Sequence, residues 1–484
     1  MSFVLFRVYQ TYNEQEIILS RCIVLKYIGP FLRLNNLDKT NIKNQLFHLA
    51  KESIKHVCFY SKCGILLTPQ ELKVKDYGVN SLKHPYPILS IYRKASPKLK
   101  NINNNYYWCG EKLKKDIIIS SNAFMTLSLL ELSDYYFNFK NIDEEKYNFS
   151  NMYRALAKKQ LEFYATYMRN EEGVFVDKKD ISETPLKDIK LEIKNPNFSF
   201  SDQALLMCSF YKYYLSEPKA DNDVFKNFSL DILNMLIQFK DELYSTSLED
   251  LVKTTLALNI FYSYSKEEHA KLLLIDLFEL LYEKYFSHFN ISSNIKLEYL
   301  CIYYINSYLL YKNTLFLRYK DIQDKLFIEI LNFYNSDLGM FVKSNDKKPF
   351  NYTPLDICLY INCLLINSFE NKKEDTKNIA MLTNIYKNQL IESGIILSWP
   401  EAPNLDDRER YLDFSLKSED LLDEKNFKSS SIISPDISEL APVFIRSIKY
   451  KEKKKTFKQG KDSFYSDRNM PVFFMNIYLY NNYL

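Results

Sequence analysis

Glycine is the scarcest structural signal in this sequence, with 8 in 484 residues. Gly-rich phosphate cradles and all-β folds both need many tight turns, so this scarcity excludes them. The five histidines (His48, His56, His84, His269 and His288) show no His-x-x-x-His or Glu-x-x-His spacing. Cys58 and Cys63 have four residues between them and no second pair, so no metal site is expected. There is no Gly-x-Ser-x-Gly elbow for a serine nucleophile and no cofactor motif, so no cofactor is expected either. The longest charge-free runs, such as Ile117 to Leu130, fall short of the roughly 18 to 20 residues of a membrane span. The first residues, Met1-Ser-Phe-Val-Leu-Phe-Arg, lack a basic segment followed by an apolar stretch and a cleavage site.

What is present is the composition of a folded chain: 46% apolar, 26% charged, with 39 Tyr and 34 Phe that read as core fillers. A net charge of +4 over this length argues against a nucleic-acid partner. One basic cluster, Lys449, Lys451, Lys453, Lys454, Lys455, Lys458 and Lys461, reads as a solvated linker. Cys58, Cys208, Cys301, Cys358 and Cys363 lie in apolar helical patterns, as reduced cysteines do, so a cytoplasmic location is expected.

Four of the glycines open the same phrase. They are Gly64-Ile65-Leu66-Leu67, Gly173-Val174-Phe175-Val176, Gly339-Met340-Phe341-Val342 and Gly394-Ile395-Ile396-Leu397. Each follows an amphipathic segment, so the glycine reads as a helix C′ residue and the apolar triplet as extended chain. A second helix follows each phrase with its own start signal. Thr353-Pro354-Leu355-Asp356 is a cap, a first-turn Pro and an acid three residues on; Ser247-Leu248-Glu249-Asp250 and Ser199-Phe200-Ser201-Asp202 match it without the Pro. Six pairs result. First helices are expected near 40–59, 148–169, 223–242, 267–287, 316–335 and 375–392; partners near 121–137, 200–215, 247–264, 294–311, 353–368 and 436–449.

The first helices are charged and the partners nearly charge-free, as in Gln203 to Tyr211 and Tyr299 to Tyr311. A helix apolar all round is buried all round, and one with a charged stripe has a wet face. Two concentric layers follow: an all-α (α/α)6 toroid of six helical hairpins, favoured over an open solenoid because the spacing is irregular. The ends suit small β elements. Residues 1–39 read as an extension with a β-hairpin, 40–450 as the toroid, and 451–484 as a basic linker with a strand at Val472-Phe473-Phe474-Met475.

This layout resembles the six-hairpin glycosidase-like toroids and their epimerase-type relatives, over roughly residues 40 to 450. In such toroids, the resemblance implies, the outer-to-inner connections line the mouth of a central cavity, where paired acids transfer protons. The acids on those connections are Asp202, Glu249, Asp250, Asp356, Glu401, Asp406, Asp407, Asp436 and Glu439, with Glu401, Asp436, Asp202 and Asp356 the catalytic candidates. First-turn acids also stabilise helix dipoles with no catalytic duty, and for Asp202, Asp250 and Asp356 that is the stronger expectation. Ser398-Trp399-Pro400-Glu401 puts a tryptophan beside an acid, and Trp108 precedes the first inner helix; both are candidate sugar-binding residues. Residues 401–434 form the longest connection, a lid or a disordered segment. Two functions stay open: a non-catalytic scaffold or binding module with a protein partner, or a carbohydrate-active enzyme, glycoside hydrolase or sugar epimerase, with a small-molecule carbohydrate.

Overall fold

The computed structural model describes residues 37–400, Glu409 and 439–484, apart from the short stretches 69, 80, 83, 103–104, 184–188, 217–222, 287–294, 344–349 and 372–375. The expected N-terminal hairpin and most of the 401–434 connection lie outside these residues.

Among the described residues, helices of ten residues or more alternate between two layers. The outer ones are α1 (Lys39–Tyr60), α3 (Glu144–Tyr167), α5 (Asp223–Gln238), α7 (Glu268–Leu281), α9 (Leu317–Leu331) and α11 (Thr376–Ile385). The inner ones are α2 (Ile119–Phe137), α4 (Phe200–Ser216), α6 (Leu248–Ser265), α8 (Leu297–Thr314), α10 (Pro354–Glu370) and α12 (Ser466–Asn482). Each inner helix packs on the next: α2 on α4, then α6, α8, α10 and α12, and α12 returns to α2. The outer helices back this closed ring, with α3 on α2, α5 on α4, α9 on α8 and α1 on α12. The chain is an (α/α)6 toroid. Burial follows the sequence: α10 is buried from Pro354 to Ser368, while α5 buries only Ser229, Ile232, Leu233 and Leu236.

Inner-to-outer turns are short. Lys266 (φ 57°) and Leu315 (φ 61°) hold the left-handed cap positions after α6 and α8, so two turns close without glycine. Outer-to-inner connections are long and carry the strands. A six-stranded antiparallel sheet runs β1 (Gly64–Leu66), β2 (Ile88–Ala95), β5 (Lys114–Ile117), β6 (Lys178–Asp180) and β7 (Leu191–Ile193), with β13 (Phe464–Tyr465) also on β2. Strands β3 (Leu99–Ile102) and β4 (Asn105–Trp108) form one hairpin, and β8 (Tyr334–Asn335) and β9 (Met340–Phe341) another. A three-stranded sheet joins β10 (Phe350–Tyr352), β11 (Ile448–Lys451) and β12 (Thr456–Gln459).

The sixth inner helix corrects the sequence reading. It is not at 436–449, where Ile448 already opens β11, but at Ser466–Asn482. The expected strand Val472 to Met475 is helical and buried in the ring. The expected basic linker is the β11–β12 hairpin, with Ile448 opposite Gln459. The toroid therefore runs to the end of the chain. Pro471 disguised α12, yet Met470, Phe473, Phe474 and Ile477 have helical spacing.

Candidate functional site

All six inner helices begin on one face, around a cavity of about 680 Å³. Its apolar lining takes one residue from each: Phe124, Leu205, Leu256, Ile302, Leu359 and Met475. One turn back along five of these helices stand Ser120, Ser201, Glu298, Leu355 and Pro471. Side chains four apart share a helix face, so the inner helices build an apolar floor and a more polar rim by register alone. The size suits a small ligand, and Phe198, 37% exposed, offers an aromatic face at the edge.

Among the described residues, five carboxylates line this mouth: Asp202, Glu249, Asp250, Glu298 and Asp467. Three are committed to protein partners. Asp250 accepts from the Ser199 hydroxyl (2.5 Å) and the amides of Phe200 (3.1 Å) and Ser201 (3.0 Å), so it caps α4 from a neighbouring helix. Glu249 accepts from Lys253 Nζ at 2.5 Å and the Tyr299 hydroxyl at 2.7 Å. Burial alone would raise its pKa, but these partners outweigh burial and hold it low. Asp467 reaches Arg93 of β2 at 3.5 Å.

Asp202 and Glu298 differ. Burial, then the carboxylates of Asp177 and Asp250, push Asp202 up to about 8, against Lys253 and a Ser120 hydrogen bond. It is a neutral acid at pH 7. Burial also raises Glu298, with Asp356 and Glu249 acting in the same direction and Lys253 and Arg468 pulling it back. Asp177, whose charge acts on Asp202, accepts from the Ile119 amide at the start of α2 (3.0 Å); burial raises it too. A proton donor and a carboxylate of raised basicity thus share one water-accessible cavity, which is what general acid–base chemistry requires.

The sequence candidates divide. Asp202 lies in the cavity, as do Glu249 and Asp250. Asp356 does not line it: it closes a capping box with Thr353 (Thr353 amide to carboxylate, 2.8 Å) and pairs with Lys343. Glu439 is exposed, its carbonyl taking the Leu99 amide. Glu401, Asp436, Asp406 and Asp407 lie outside the described residues. Neither tryptophan lines this cavity. Trp399 is packed in the core; Trp108 donates from Nε1 to His56 Nδ1 at 3.0 Å and meets Phe464 edge-on. Glu409 is held by Lys51 and by Lys146 (2.9 Å) on outer helices.

Sequence reading missed Glu298, Lys253, Lys296, Asp467, Arg468 and Phe198. Glu298 was findable as a first-turn acid on an inner helix, had α8 been started at Leu297 rather than near 294. Asp467 and Arg468 were lost with the misplaced sixth helix.

No protein-family model matches the sequence, and no curated protein matches it. Among solved structures, the chain is similar to an alpha-mannanase of Bacteroides thetaiotaomicron, at TM-score 0.40 and 11% identity over 79% of this chain and 91% of that one. It is also similar to a sugar epimerase from a ruminal bacterium, at TM-score 0.43 and 10% identity over 70% and 85%. Cellobiose 2-epimerase from Bacillus thermoamylovorans is matched at TM-score 0.39 and 14% identity over 55% and 74%. No helix among the described residues is long and apolar enough to cross a membrane.

Proposed function

We propose that this protein is a carbohydrate-active enzyme that works by carboxylate acid–base chemistry in the cavity at the toroid mouth. Asp202, protonated at neutral pH beside an open polar cavity, carries this reading. In the proposed reaction Asp202 gives its proton to the oxygen that leaves, or to the carbon centre being inverted. Glu298 takes a proton from water or from the sugar. The lining suits a polyol. Ser120, Ser199, Ser201, Ser247, Thr246 and Tyr299 offer hydroxyls, and Phe198 offers a ring face.

A second reading, a binding module without chemistry, has the apolar floor in its favour. It shares the cavity and differs only in turnover. The test is a panel of glycosides and reducing sugars assayed for hydrolysis and epimerisation with wild-type protein, Asp202→Asn and Glu298→Gln. Turnover that falls at least a hundredfold in both variants supports the enzyme. Sugar binding without turnover, unchanged in Asp202→Asn, supports the module and overturns it.

A further inference from the structure

The cations of the mouth are less evenly matched than its acids. Lys253 is held by Glu249. Lys296 lies over the Tyr299 ring, 5.1 Å from its centre, and donates to its hydroxyl at 3.3 Å. Arg468, on the first turn of α12, makes no hydrogen bond or ion pair among the described residues. Its charge lowers the pKa of Glu298, which lines the same cavity. Its neighbour Asp467 is drawn to Arg93, and Arg468 itself lines the cavity.

An acidic ligand would meet little opposition there. Asp202 is neutral, and Asp250 is spent on the α4 amides, Glu249 on Lys253 and Tyr299, and Asp467 on Arg93. Among the described residues of the mouth, Glu298 makes no hydrogen bond or ion pair, and one Asp467 oxygen is also without a hydrogen-bond partner. Six helix N-termini surround the same space, and their partial positive charge favours an anion.

A second observation lies on the same face. The β11–β12 hairpin brings Lys451, Lys454, Lys455 and Lys458 to the wall of a separate cavity of about 710 Å³, opposed there by Asp337 and Glu392. Strand β10, which pairs with β11, ends at Tyr352, one residue before the Thr353 cap of α10. The basic hairpin therefore stands beside the start of an inner helix, at the mouth and not at the far end of the ring. These lysines line that separate cavity and not the one that holds Arg468.

We propose that the substrate is a saccharide bearing an anionic group, a carboxylate or a phosphate, which the Arg468 guanidinium receives in the cavity. A planar fork suits both oxyanions bidentately. This rests on the carbohydrate reading above and narrows it. Calorimetric titration of the full chain with methyl glucuronide, glucose 6-phosphate and methyl glucoside tests it. One or both anionic sugars should bind at least tenfold tighter than the neutral glycoside, and which of them does so separates carboxylate from phosphate. Arg468→Gln should erase the preference, and Arg468→Lys should keep part of it. The preference should also shrink as salt rises, since the cavity is open to water. Equal binding of all three, with turnover of neutral sugars intact, overturns the anionic substrate and leaves the enzyme. No binding of any sugar overturns both.

Discussion

Asp202 shows how a residue can look structural in the sequence and be chemical in the fold. In the chain it is an acid in a helix first turn, like Asp356. In the toroid Asp356 closes its own capping box, whereas Asp202 faces a cavity with Asp177 and Asp250 nearby. Two consequences can be measured. If Asp202 is the acid, activity should decline as pH rises through about 8, and Asp202→Asn should abolish it at every pH. The same shift has a stability sign. Between its ordinary range and about 8 the folded state keeps a proton that the unfolded chain has lost, so stability falls as pH rises through that window. Asp202→Asn removes this slope, and melting temperatures from pH 4 to 9 should become flatter than those of wild type.

His56 gives the opposite sign. Burial lowers its pKa to about 4, and its Nδ1 accepts the Trp108 Nε1–H. As pH falls from about 6.5 towards 4 the unfolded chain takes the proton first, so stability drops with acidification. His56→Gln keeps a hydrogen-bond acceptor and loses the titration. The urea midpoint should then fall less between pH 7 and 4.5 than it does in wild type. Trp108 was read from sequence as a sugar platform; its indole N–H is instead part of this buried contact.

At the scale of elements, the repeated glycine phrase has two physical causes. Gly173 has φ 85°, but its helix already ends at Tyr167; the left-handed glycine closes the turn from Asn170 that leads back to Phe175. Gly64 is not left-handed; there a Cβ would sit 2.1 Å from the Ser90 carbonyl, so it is needed for the close approach of β1 to β2. The strands that follow are pinned by buried amides. Gln203 of α4 accepts from the Phe175 amide (3.0 Å) and donates to its carbonyl (2.8 Å). Gln389 does the same to Phe341, and Asn469 of α12 to Phe444. These side chains fix the connections that bound the mouth. Gln203→Ala should cost about 1 to 3 kcal/mol, because it strands two buried backbone groups. Equilibrium urea unfolding measures it, and Gln203→Glu, which keeps only the acceptor, should fall between.

Helix positions were readable because the 3.6-residue period and the charge alternation survive in one sequence: ten of the expected helix ranges overlap the observed α2 to α11, and the 40–59 range overlaps α1. The sixth inner helix was not. Residues 401–438 separate it from α11, Pro471 interrupts its pattern, and its partners come from the far end of the chain. Of the site, the first-turn acids Asp202, Glu249 and Asp250 were legible. Their division of labour was not, because Asp250 caps a helix that starts fifty residues earlier.

The whole molecule closes at the end away from the mouth. Glu131 of α2, 1% exposed, pairs with Lys212 of α4 (2.9 Å) and accepts from Tyr264 of α6 (2.6 Å) and from Asn482 at the end of α12 (3.0 Å). One carboxylate thus ties the first inner helix to the second, third and last. Burial works against its charge, but Lys212 and these donors keep its pKa low. Glu131→Ala leaves Lys212 with only the half-exposed Asp134, so a loss of about 3 kcal/mol or more is expected in chemical denaturation. Deleting residues 466–484 removes α12 altogether. The ring then becomes an arc with two uncovered apolar faces, and a single cooperative melting transition should be lost.

The sequence by itself determined that this chain is helical, layered and built of repeated pairs, because periodicity, caps and buried-versus-wet faces are local properties carried by neighbouring residues. Only the tertiary structure decided where the ring closes and which acid stays protonated. Both depend on groups far apart in the chain meeting in space: Asn482 on Glu131, and Asp177 and Asp250 around Asp202.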